Sequence, residues 1–227
     1  MGVRAVVTGV VALGLVAVGA VVADGLARGS AEDTAAAAIA QQLDVDGAPQ
    51  VHIDGFPFLT QLAARSLDDV HVTATRVTLE GLAVTDVVVD ATDVTLDAPY
   101  RAGTARLEAT VPASSVQQVV QARADLEVAV DGDLLRATGD LFGIPLTVGL
   151  VPRVADGRML VDVQDVTLGA GTLRLEELPG DVAERLVGIE VPLAGLPDGV
   201  RLEDAVVVPD GVRFTATGED VALDAVP

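Results

Sequence analysis

Residues Val70 to Glu80 are echoed at Val87 to Asp97, 17 positions later, and both copies carry the same irregularity. Val70, Val72 and Ala74 alternate with polar residues, the apolar positions slip by one at Ala74-Thr75, and alternation resumes at Val77 and Leu79. Val87, Val89 and Ala91, then Val94 and Leu96, follow the same course, with the slip at Ala91-Thr92. Alternation keeps one face of a strand apolar, and a slip of one residue exchanges the faces unless the strand bulges. Each copy therefore predicts a long strand with a β-bulge, which bends it and raises its twist. Val161 to Leu168 is a shorter third echo, slipping after Val163. The copies are too few and irregular for a solenoid. A long antiparallel sheet, curved by bulges, is what they permit.

Further strands are predicted over Gln50–Asp54, Leu126–Val130, Leu134–Thr138, Leu146–Val151, Met159–Leu168, Thr172–Leu175, Val206–Val208 and Val212–Ala216. Asp131-Gly132, Asp156-Gly157 and Pro209-Asp210-Gly211 are their turns. Helices are few. One opens at an N-cap Ser30 and carries Ala36, Ile39, Ala40 and Leu43 at helical spacing. A short one follows Pro57, with proline at its first position. Pro112 to Arg123 puts Val116, Val119 and Val120 on one face, and Asp181 to Val187 is a fourth. No βαβ alternation is present, so the class is α+β, mainly antiparallel β.

Arg4 precedes an uncharged apolar run over residues 5–23. Its 19 residues fall between a signal-peptide core and a minimal membrane-spanning helix of about 20 residues. Residues 1–25 thus read as a signal peptide or an N-terminal membrane anchor, and either sends the rest out of the cytoplasm. No linker divides residues 26–227, which read as one domain. The mean hydropathy of +0.49 falls only to about +0.3 without the leader. The exported part is therefore strongly apolar, with a large packed core or a lined internal space.

It is also strongly acidic, with 34 acids against 14 bases, all arginine, and a net charge of −20. That charge excludes a nucleic-acid partner and docking on anionic lipid through a basic patch. The chain has no Cys, so no disulfide, thiolate metal site or cysteine nucleophile. His52 and His71 lie on strands with no second ligand at metal spacing, so neither a metal nor a cofactor is expected. Ser30, Ser66, Ser114 and Ser115 stand outside any Gly-x-Ser-x-Gly elbow. Asp86, Asp90, Asp93 and Asp97 alternate with apolar residues or occupy turns, as on a solvated sheet face. A glycan-active enzyme would need two inward-facing carboxylates in a cleft.

Gly55 to Leu62 holds Phe56 and Phe58, two of only five aromatic residues. The rings either plug the core at a strand-to-helix turn or line an apolar mouth for a lipid chain.

This segment, Gly55-Phe56-Pro57-Phe58-Leu59-Thr60-Gln61, together with the leader, the Ala-rich helix, the paired strands and the loop Val191-Pro192-Leu193-Ala194-Gly195-Leu196-Pro197 ahead of Gly199-Val200-Arg201-Leu202, resembles the LmeA-type phospholipid-binding proteins of the actinobacterial cell envelope. The resemblance covers nearly the whole chain. It implies a long curved sheet and a few helices enclosing an apolar cavity, as in tubular lipid-binding proteins. It also implies a non-catalytic role in envelope lipid or lipoglycan (mannan) metabolism, with phospholipid as partner. Phe56, Phe58, Leu59, Leu62, Val72, Val89 and Phe142 are then expected at the acyl chains. Arg65, Arg76 and Arg101 are candidates for the headgroup, or are plain surface charge. The alternative is a non-catalytic envelope interaction module with a solid core, its protein partner unspecified.

Overall fold

In the computed structural model the alternating segments become long antiparallel strands. The structure describes residues 2–79, 81–121, 126–141, 143–169, 171–174, 189–191 and 199–223. Phe142, the helix expected over Asp181–Val187, and residues 192–198 of the Leu-Pro-rich loop lie outside them. In chain order the elements begin with α1 (Gly2–Gln42), β1 (Asp44–Asp46), β2 (Gln50–Asp54), α2 (Phe58–Ala64), β3 (Ser66–Leu79) and β4 (Leu82–Thr95). Next come β5 (Arg101–Pro112), α3 (Ala113–Gln121), β6 (Leu126–Asp131), β7 (Leu134–Leu141) and β8 (Ile144–Ala155). The chain continues with β9 (Arg158–Leu168), β10 (Gly171–Arg174), β11 (Ile189–Val191), β12 (Val200–Val208) and β13 (Gly211–Ala222).

Two open sheets result. The first runs β1-β3-β4-β5-β13-β12, with β2 sharing the outer edge of β3; the second runs β10-β9-β8-β7-β6, with β11 beside β9. Every described pairing is antiparallel. The sheets meet where β12 packs on β8 and β9, around buried Met159, Leu202 and Ala216. Helix α3 bridges them from the side. Its Ser115 hydroxyl donates to the Ala83 carbonyl at 2.9 Å, and its Gln117 amide binds the backbone of Leu126 and Val128. The mainly antiparallel α+β class and the long bulged sheet are as the alternation predicts.

The slips are accommodated in an unexpected way. The β3–β4 register never shifts, because each slip in one strand faces a slip in the other. Asp86 and Asp93 adopt left-handed backbone, φ 51° in both, opposite Thr75 and Asp68. A register shift appears on the other side of β4, between Thr85 and Val88 against β5, rather than at Ala91-Thr92. In the third echo the shift falls between Gly149 and Leu150 of β8, opposite the slip after Val163. Register also puts Asp93, Gly103 and Asp220 on one line across β4, β5 and β13, with Asp220 again at φ 51°. Such a line of kinks creases the sheet.

Helix α1 differs from the expectation. Ser30 is not an N-cap, since the helix runs on from Gly2; nothing between residues 24 and 42 breaks it, and Thr34 hydroxyl donates back to the Ser30 carbonyl at 2.7 Å. Pro57 stands one place earlier than expected, in extended backbone as the N-cap of α2. The side chains of residues 2–20 lie outside what the structure describes. Among the described residues no helix is long and apolar enough to cross a membrane.

At Gly103 a Cβ would sit 2.9 Å from the Asp93 Cβ, closer than side chains tolerate. Gly103→Val is expected to lower unfolding stability in urea by roughly 1–3 kcal/mol through overpacking. Gly29→Ala, in open space on α1, is expected to be neutral or stabilising by about 0.5–1 kcal/mol. Equal stability of Gly103→Val and the parent would remove the crease from the fold's requirements.

Candidate functional site

In an antiparallel sheet, directly opposed residues share a face. Following register across the first sheet gives Val51, Val72, Val89, Leu107, Ala216 and Leu202 in one row. Two residues along lies a second row, Ile53, Val70, Ala91, Ala105, Gly218 and Val200. One face of the sheet is thus aliphatic across six strands. The second sheet matches it, with Val130, Leu135, Leu150 and Val163 aligned. The two aliphatic faces join at the Met159–Leu202–Ala216 cluster, against which Leu107, Val161, Val200 and Phe214 pack.

A separate cluster closes the far corner. Phe58, Ile53 and Leu67 are buried together, with Ala27 and Ala31 of α1 packed on them. Between the corners Val72 and Val89 are half-buried cross-strand partners that belong to neither cluster. That strip is the candidate site.

The far corner is held by α1. Pro57 has no side-chain oxygen to cap α2, and the cap comes from 34 positions away: Asp24 accepts the backbone N–H of Phe58 at 3.0 Å and of Leu59 at 2.8 Å. Asp24 is buried, and Arg28, one turn on, lies 3.6 Å from it and donates to the Gly55 carbonyl at 2.5 Å. Glu32 accepts the Ile53 N–H at 2.8 Å, which occupies a donor on the edge strand β2. The N–H of Leu59 chiefly, then that of Phe58 and the Arg28 guanidinium, hold the Asp24 carboxyl below its usual range against the opposing effect of desolvation. Gly55 must be glycine: its φ is +92°, and a Cβ would meet Gln61 Nε2 at 2.4 Å.

The expected site residues are therefore divided. Phe58 is a core plug, 1% exposed, whereas Phe56 is 67% exposed and Leu59 and Leu62 also face outward. Val72 and Val89 are brought together on the aliphatic face. Arg65 pairs with Asp97 at 2.5 Å and Arg101 with Asp220 at 2.6 Å, both near one end of the first sheet. Arg76 lies farther along β3, 3.9 Å from Asp46, so the three arginines form no common site. Asp24, Leu107 and Phe214 went unmarked in the sequence. Asp24 could have been singled out as the first charge after the apolar run, and the others by carrying register beyond the repeated pair.

The opposite face of the first sheet is polar: His52, His71, Asp90, Arg106, Thr217 and Arg201 form its row. An open groove of about 690 Å³ lies there, lined by Asp90, Thr92, Thr104, Arg106, Arg201 and Glu219 among others. Two further grooves, of about 540 and 250 Å³, are likewise mixed or polar. His71 Nδ1 lies 2.6 Å from Asp90, and Arg106 bridges Glu108 and Glu203. Among the described residues no group of three His, Asp or Glu side chains is placed to hold a metal ion. Asp24 is the one buried acid among them, and its carboxylate is taken by α2.

A family model described as LmeA-like phospholipid-binding matches residues 22–217. No curated protein and no solved structure gave a match.

Because its folded-state pKa is depressed, Asp24 stabilises the α1–α2 junction above its ordinary value of 3.8 and ceases to as pH falls through the lower folded value. Asp24→Asn retains the size but turns an amide toward one N–H. The melting temperature of the parent is expected to exceed that of Asp24→Asn at pH 7, with the gap narrowing below pH 3.8. A gap independent of pH would mean that the ionised carboxylate is not what caps α2.

Proposed function

The chain belongs to the LmeA-like phospholipid-binding family, and from that premise we propose that it holds phospholipid acyl chains against the aliphatic face of its sheets. The observation that carries this reading is the row Val51, Val72, Val89 and Leu107, four aligned aliphatic side chains left half-buried. Each methylene withdrawn from water contributes about 0.8 kcal/mol, so about ten hold a lipid without headgroup ion pairs. That suits an exterior of net charge −20 on which Arg65, Arg76 and Arg101 each stand beside an acid.

The leader completes the proposal. Residues 1–25 act as an export signal or remain as an anchor in the plasma membrane, and the domain works in the cell envelope. There it supports lipid or lipoglycan (mannan) metabolism by binding, with no catalytic step of its own. One observation favours a second reading, an interaction module with a solid core: the described grooves lie mainly on the polar side of the sheets.

Organic extracts of the purified protein, analysed by mass spectrometry, separate the two. Phospholipid is expected at near-stoichiometric amounts in the parent, and Val72→Asp and Val89→Asp are expected to fold but to retain at least about tenfold less. Parent protein that is consistently lipid-free and also fails to take up phospholipid from vesicles would leave only the interaction module.

A further inference from the structure

Twelve large hydrophobic side chains are exposed among the described residues, and six of them gather at one corner of the fold. Val21, Val22 and Leu26 lie on the turns of α1 that flank Asp24; Phe56, Leu59 and Leu62 lie on the element that Asp24 caps. The two most exposed are Leu26 at 72%, on the side of α1 away from Asp24, and Phe56 at 67%, next to the Gly55 carbonyl that Arg28 binds. Soluble surfaces carry isolated apolar residues without consequence, but several at one end of a domain, here around α1 and on the adjoining α2, mark an interaction surface.

Two features identify what covers it. Val21 and Val22 are the last bulky residues of the uncharged run over 5–23, so the patch continues that run without a polar break. The first charges after it, Asp24 and Arg28, turn toward the domain: the Asp24 side chain is 4% exposed, and the Arg28 side chain is 23% exposed, its Nη2 on the Gly55 carbonyl. Where a charge would mark the exit from an apolar phase, this chain internalises it. Leu26 lies three residues past Ala23, about 4.5 Å along the helix axis, within the 5–10 Å depth to which interfacial side chains sink. We propose that this corner inserts into the surface of a lipid bilayer, seating the domain directly on the membrane that residues 5–23 enter. The inference rests on the anchor reading of the leader given above. With Arg28 and Arg65 already facing acids, insertion is apolar, indifferent to salt and suited to zwitterionic lipid.

The chain has no Trp, so single-tryptophan variants report position directly. The full-length protein carrying Phe56→Trp, Leu26→Trp or, on the second sheet, Ile144→Trp is reconstituted into phosphatidylcholine vesicles with brominated acyl chains. Blue-shifted emission and loss of about half or more of its intensity are expected for Phe56→Trp and Leu26→Trp, unchanged by high salt, with Ile144→Trp unaffected. Circular dichroism checks the fold of each variant. Protein that floats with the vesicles while Phe56→Trp and Leu26→Trp stay unquenched overturns the docking surface and leaves the anchor intact. Quenching equal at all three positions overturns it too, as does a blue shift that depends on protein concentration without vesicles, the mark of a second copy on the patch. Protein that never associates with vesicles overturns the anchor reading and this inference together.

Discussion

Register across the first sheet is the constraint on which the rest depends. Because side chains alternate with period two, a slip of β3 or β4 by one residue against its neighbours would turn Val72 or Val89 to the polar face and bring His71 or Asp90 inward. Six strands keep the aliphatic rows aligned despite several interruptions of alternation. Alignment survives because the interruptions oppose one another: Thr75 faces Asp86, Asp68 faces Asp93, and Asp93 leads on to Gly103 and Asp220. Bending is thereby added without exchanging faces. A sheet can then curve over an apolar ligand while its acids stay in water, and the high acid count and high apolar count no longer conflict.

The junction of α1 with α2 serves a different purpose. A seven-residue helix beginning after proline has no cap of its own, and isolated helices of that length are not stable in water. Asp24 supplies the missing acceptor, Arg28 fixes the Gly55 turn, and Phe58 fills the space beneath. Helix α1 is thus joined to the domain through the first charged residues after its apolar run. The half-buried strip at Val72 and Val89 begins beside the corner that α1 holds, with Val51 and Val70 packed on that corner's cluster. The proposed anchor and the face proposed to hold lipid are thereby neighbours in the fold.

Much of this was legible in the sequence where the physics is local. Alternation and its slips gave β2, the β3–β4 pair and the shift in β8–β9, because period two is written into neighbouring residues. The division of Phe56 from Phe58 was not legible. Both rings suit a plug or a lining, and the outcome was decided by the Asp24 cap on α2 and the docking of Ala27 and Ala31 on Phe58, which no local pattern encodes. Ser30 misled for a related reason: a capping residue is only a permissive signal, and helix formers on both sides carried α1 through it. Arg65, Arg76 and Arg101 each stand beside an acid, but so do Arg106, Arg136 and Arg153, so neither sequence nor structure sets the three apart.

Acyl chains are proposed to lie on the strip between the two packed corners. Photo-crosslinking with a phosphatidylcholine that carries a diazirine in its acyl chain, followed by peptide mapping, addresses this placement most directly. Adducts are expected on the β3–β4 peptides that contain Val72 and Val89, and to be competed away by unlabelled phospholipid. Adducts confined to the peptides lining the polar groove, or none that compete, would contradict it.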